Sequence, residues 1–133
     1  MRSILKYSIF FIALSVIVIT VSCRKYNYTN RIQKAWVLEK YYINDIDSTN
    51  YFHNQFKNYE LELSNNNGYV ETYLLGGIQS QRKEGIWVLK ENSKVLELNE
   101  NGSYRDFNID ELKIKSMILM RSETGETFYF IPK

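Results

Sequence analysis

The chain is poor in the residues from which most catalytic and metal centres are built. Its 133 residues include one cysteine and one histidine. A lone cysteine cannot form a disulfide within the chain or assemble a thiolate metal site. The lone histidine, His53, sits in "NYFHNQF" without a nucleophile, an orienting group or further ligands at recognisable spacing. It reads as a solvated or aromatic-packed loop residue, not a base or a ligand. No catalytic residue, metal ligand or cofactor is therefore assigned. An excess of one charge is missing too, with 17 basic against 15 acidic side chains, and nothing marks a nucleic-acid surface. Proline occurs once and tyrosine 11 times, a balance that favours strands over disorder. No long stretch carries apolar residues at a period near 3.6, so a helical domain is disfavoured.

What is present begins with an apolar run from Ile9 to Val21, after Arg2 and Lys6 and before Ser22, Cys23 and Arg24. A spanning helix needs about 20 apolar residues. This run is shorter and suits the apolar region of a secretory signal peptide. An uncleaved signal anchor is the alternative; the basic residues on its two sides nearly balance and give no orientation.

Thr20-Val21-Ser22-Cys23 resembles the lipobox of bacterial lipoproteins, with Thr20 where leucine is usual. The resemblance implies lipidation of Cys23, cleavage before it, and a membrane anchor of two or three acyl chains such as palmitate. At about 0.8 kcal/mol per buried methylene such an anchor is durable. Loss of residues 1–22 would take Arg2 and Lys6 with it. The 133 residues then become 111, and the 17 basic side chains become 15 against 15 acidic ones, enough chain for one neutral domain.

Residues 23–31 read as the lipidated cysteine and a polar tether, with Asn30 placed to cap a helical turn over Arg31–Ala35. Strand-like runs follow at Trp36–Asn44, 59–63, 69–75, 81–90, 94–99, 103–110, within 111–121, and at 127–132. In "YELEL", Tyr59, Leu61 and Leu63 alternate with glutamates, the period of a half-buried strand. Asn67-Gly68, Gly76-Gly77, Glu91-Asn92-Ser93 and Asn101-Gly102 supply turns. The stretch "ELKIKSMILMR" needs either a turn near Lys113–Ser116 or a bulge. Residues 45–58 are left as a polar loop. Its Asp45, Asp47, Asn44 and Asn50 lack the spacing, glycine and terminal glutamate of a calcium loop and read as a turn.

Eight strands joined by short turns make an antiparallel meander. A meander has two exposed edges unless it closes on itself. The expected fold is all-β: an eight-stranded antiparallel up-and-down barrel over residues 32–133, preceded by the signal-peptide helix. A two-sheet sandwich is the alternative.

Trp36-x-Leu38, Gly85-x-Trp87, Leu96-x-Leu98, Ile109-x-x-Leu112 and Met117-x-Leu119 resemble the lipocalin-like domain of small bacterial lipoproteins. The family often has a glycine shortly before the first tryptophan; Gln33-Lys34-Ala35 stand here. The resemblance implies a small tethered β-barrel in the cell envelope, facing the periplasm or on the outer membrane. It implies no settled activity.

Trp36, Leu38, Tyr59, Trp87, Leu98 and Phe107 are expected inside, as core or as ligand contacts. Tyr41, Tyr42, Tyr51, Phe52, Phe56, Tyr69 and Tyr73 are further candidates for an aromatic mouth. Glu60, Glu62, Glu97 and Asn99 read as the wet face. The expected function is non-enzymatic. Either the barrel holds a small hydrophobic ligand, or a filled barrel serves as a structural or interaction lipoprotein with an envelope protein partner.

Overall fold

A computed structural model describes residues 27–133; the signal-sequence and Cys23 readings lie outside the described residues. Nine strands run in chain order: β1 Ala35–Ile43, β2 Ile46–Asp47, β3 Phe56–Leu63, β4 Gly68–Leu75, β5 Gln79–Lys90, β6 Val95–Glu100, β7 Ser103–Leu112, β8 Met117–Arg121 and β9 Glu126–Pro132. A helix, α1, spans Thr49–Gln55 between β2 and β3. β1 pairs antiparallel with both β2 and β3, each strand from β3 to β8 pairs antiparallel with the next, and β9 returns to pair antiparallel with β1. Eight strands thus close into a barrel, and β2 is a two-residue spur on the outer end of β1.

The turn residues act as expected at three of the four sites; at the fourth only Asn67 has positive φ, and Gly68 already belongs to β4. Asn101 and Gly102 both have positive φ, 50° and 89°, the geometry of the tight turns that match strand twist. Glycine is required for a different reason at Gly85, which faces Tyr69 across β4 and β5. A Cβ there would lie 2.0 Å from the Asn99 carbonyl oxygen and 2.9 Å from the Tyr69 ring.

Every second strand residue points inward. Trp36, Leu61, Leu63, Tyr69, Trp87, Leu96, Leu98, Met117 and Leu119 are fully buried and fill the end of the barrel where β1 begins. Each tryptophan also fastens a chain segment across that end. Trp36 Nε1 donates to the Ile32 carbonyl at 2.9 Å, and Trp87 Nε1 donates to the Ser64 carbonyl at 3.0 Å.

Two local readings are corrected and one open choice is settled. The helical turn before β1 covers 27–32 and not Arg31–Ala35. Buried Ile32 ends it, its carbonyl taken by the Trp36 indole, and Ala35 already belongs to β1. The loop at 45–58 contains β2 and α1, and β3 starts at Phe56. Phe52 drives this, because it buries itself on Tyr41, Phe56 and Tyr59 at ring distances of 4.8, 4.8 and 5.4 Å. The choice between a bulge and a turn near residue 113 resolves to both. β7 is irregular between Ile109 and Glu111, and Lys113 N–H donates to the Ser116 carbonyl at 2.8 Å.

Candidate functional site

The outer half of the barrel is not filled. Between the packed end and α1 lies a cavity of about 180 Å³. Leu61, Leu98, Leu119 and Phe130 form its floor, and Phe56, Tyr59, Tyr73, Phe107 and Phe128 its wall. Phe52 of α1 hangs over it, 6.2 Å from the Phe128 ring, so the helix acts as a partial cover.

Five charged side chains face the same space: Glu71, Lys83, Arg105, Arg121 and Glu126. Four of them form two units of the same design. In one, Glu71, 3% exposed, takes a hydrogen bond from the Tyr59 phenol and a two-pronged pair of bonds from Arg105. In the other, Glu126 takes a 2.6 Å bond from Tyr41 Oη and pairs with Arg121 Nη1 at 3.4 Å. Bidentate guanidinium–carboxylate pairing is among the stronger polar contacts, and here it satisfies groups that burial would otherwise penalise.

The ionisation equilibria follow. Burial, then the charge of Glu71 and its hydrogen bond, pushes the Tyr59 phenol well above its ordinary value. Burial and the bond to Glu126 do the same to Tyr41. Burial alone would lower the Arg105 pKa, but the carboxylate of Glu71 outweighs it and holds the guanidinium charged. Tyr69 lies below the cup, and its buried hydroxyl has no hydrogen-bond partner among the described residues. Burial raises its pKa and the nearby Arg105 partly opposes this.

The expected interior residues separate into two groups. Tyr59, Leu98 and Phe107 line the cavity. Trp36, Leu38 and Trp87 are buried but belong to the packed end. Of the other aromatics, Tyr41, Phe52, Phe56 and Tyr73 reach the cavity, and Tyr69 is core. Tyr42 packs edge-on to Tyr129 at 5.4 Å instead, and Tyr51 is exposed. His53 stacks edge-on against Phe52 at 6.3 Å. Asp47 Oδ1 accepts from the Thr49 N–H at 3.0 Å, a turn contact, and the Thr49 side chain and backbone together hold its carboxyl below the usual range. Among the described residues no three His, Cys, Asp or Glu side chains cluster as metal ligands.

The charged interior was missed from sequence, although the alternation contains it. Glu71 shares a face with Tyr69 and Tyr73, Arg105 with Phe107, Arg121 with Leu119, and Glu126 with Phe128.

No protein-family model matches the chain, and neither does any curated protein. Solved structures do resemble it. A lipocalin-like protein from Bacteroides uniformis ATCC 8492 superposes with a TM-score of 0.57 at 14% identity, covering 77% of this chain and 99% of that one. An uncharacterized protein from Bacteroides eggerthii DSM 20697 gives 0.56 at 13% identity, with 77% and 99% covered. The fold of this chain is lipocalin-like.

Proposed function

We propose that this lipocalin-like barrel is a non-enzymatic binding protein, tethered to a membrane of the bacterial cell envelope through lipid on Cys23, that holds one small ligand in its cup. The observation that carries the reading is the half-filled interior. A barrel serving only as a scaffold gains by packing both halves, since unfilled space costs stability. Here one half is packed and the other leaves about 180 Å³ walled by aromatic rings and set with charged groups. Ligand sites have that mixture of apolar wall and few polar handles.

The two ends of the barrel have different neighbours. β1 enters at the packed end, so a tether from Cys23 would leave the mouth pointing away from the membrane. A ligand would then enter from the aqueous side. A second reading, a protein-interaction role, draws on the mouth-end connections, where Ile46, Tyr51 and Ile78 are exposed, Ile78 at 91%.

Native mass spectrometry of the protein recovered from an export-competent host tests the binding role. A small molecule that stays bound natively and leaves on denaturation supports it. A bare mass, with no uptake of an apolar fluorescent probe, refutes it. Cys23→Ala tests the anchor: the variant should accumulate as an unacylated precursor, and normal membrane-bound mature protein would overturn lipidation.

A further inference from the structure

We infer that the cup selects a compact monoanion, a single-ring carboxylic acid or an apolar acid of similar size, with its carboxylate paired to Lys83. This deepens the binding role proposed above and rests on it. The first argument is a charge count. Facing the cavity are three cations, Lys83, Arg105 and Arg121, and two carboxylates, Glu71 and Glu126. The carboxylates are committed: Glu71 to Arg105 and Tyr59, Glu126 to Arg121 and Tyr41. Both phenols spend their protons on those carboxylates and add no charge. Lys83 remains. It stands opposite Glu71 in the β4–β5 register, yet makes no ion pair or hydrogen bond among the described residues.

An ammonium group facing a space walled by aromatic rings attracts an anion, and the low local dielectric strengthens that attraction. A neutral ligand would leave this cation to water. A cationic ligand would meet it as a like charge, with both carboxylates already occupied.

The second argument is size. An engineered apolar cavity of about 150 Å³ in another protein admits benzene. A cavity of about 180 Å³ has room for such a ring and a little more, as a carboxylate requires. Long acyl chains do not fit unless α1 moves. The rings of Phe107 and Phe128, 5.8 Å apart at 78°, offer a face and an edge to an incoming ring.

Isothermal titration of the protein with benzoate, benzamide and benzylammonium tests this. One charge-assisted contact predicts that benzoate binds about tenfold or more tightly than benzamide, with benzylammonium weakest. Lys83→Met should erase the preference, bringing benzoate affinity down about tenfold towards that of benzamide, and Lys83→Arg should keep it. Equal binding of benzoate and benzamide by the parent protein overturns the charge selection and leaves the cup as a binding site. Persistence of the preference in Lys83→Met overturns the assignment to Lys83. If none of the three binds at millimolar concentration, the compact single-ring ligand is overturned, and the binding role is then decided by the native mass measurement above.

Discussion

Removing Arg105 should be among the most damaging single changes in the barrel, and its cost should depend on pH in a particular way. Arg105→Met keeps much of the side-chain volume but takes both guanidinium bonds from Glu71, whose side chain is 4% exposed. Breaking a buried pair from one side costs about 3–5 kcal/mol. For a domain of this size each kcal/mol lowers Tm by about 4–8 °C, so the midpoint should fall by more than ten degrees, on the order of what 3 kcal/mol implies. The unpaired carboxylate can escape the penalty by taking a proton, so its folded pKa in the variant rises above the unfolded value. Such a group binds more protons when folded, and the variant's stability relative to the parent therefore recovers as pH falls from 7 towards 5. The double change Glu71→Leu with Arg105→Met removes both charges and should lie near the parent or above it, as apolar replacements of buried pairs often do. Urea unfolding at several pH values, followed by the fluorescence of Trp36 and Trp87, measures all three variants. A loss below about 1 kcal/mol that does not change with pH would refute the reasoning, because it would mean that water already solvates Glu71.

Trp87→Ala should cost about 3–5 kcal/mol in the same assay, from lost packing and the orphaned Ser64 carbonyl, and a near-neutral result would contradict its place in the packed end. Gly85→Ala should lower stability by at least about 1–3 kcal/mol, since its new methyl meets backbone on β6 that can yield only by spreading the sheet; an unchanged urea midpoint would refute that contact. Above pH 10 the raised phenol pKa values of Tyr41 and Tyr59 mean that the folded state holds protons the unfolded state has released. Stability should fall as pH rises, by about 1.4 kcal/mol per pH unit for each tyrosine. Tyr41→Phe and Tyr59→Phe should each flatten that slope, and tyrosinate absorbance that rises before unfolding would count against the effect.

The strands were readable because Gly and Asn at the turns, and alternation within "YELEL" and "KVLELN", are local signals. α1 was not, because seven residues carry too little periodicity, and what holds the helix is Phe52 settling on rings from β1 and β3. The cup was half legible. Tyr59, Leu98 and Phe107 were expected inside because they are apolar and on the right beat. Glu71, Arg105, Arg121 and Glu126 are on the same beat and were passed over, because charge normally marks the wet face. Only the pairing of strands distant in sequence shows that each meets a partner inside. The cavity is a tertiary property as well, set by how far the side chains of eight strands reach across the axis.

Closure of the barrel through β1 and β9 has a consequence for biogenesis. Val37 pairs with Ile131, and Lys133 N–H donates to the Ala35 carbonyl at 3.0 Å, so the seam joins the two extremes of the domain. As the chain emerges with its N-terminal end leading, β1 to β8 can assemble in order as each hairpin appears. The sheet keeps two bare edges until β9 arrives. The interval before that last strand docks is when the protein is most open to pairing with a neighbour, and a chain shortened before β9 would stay in that state.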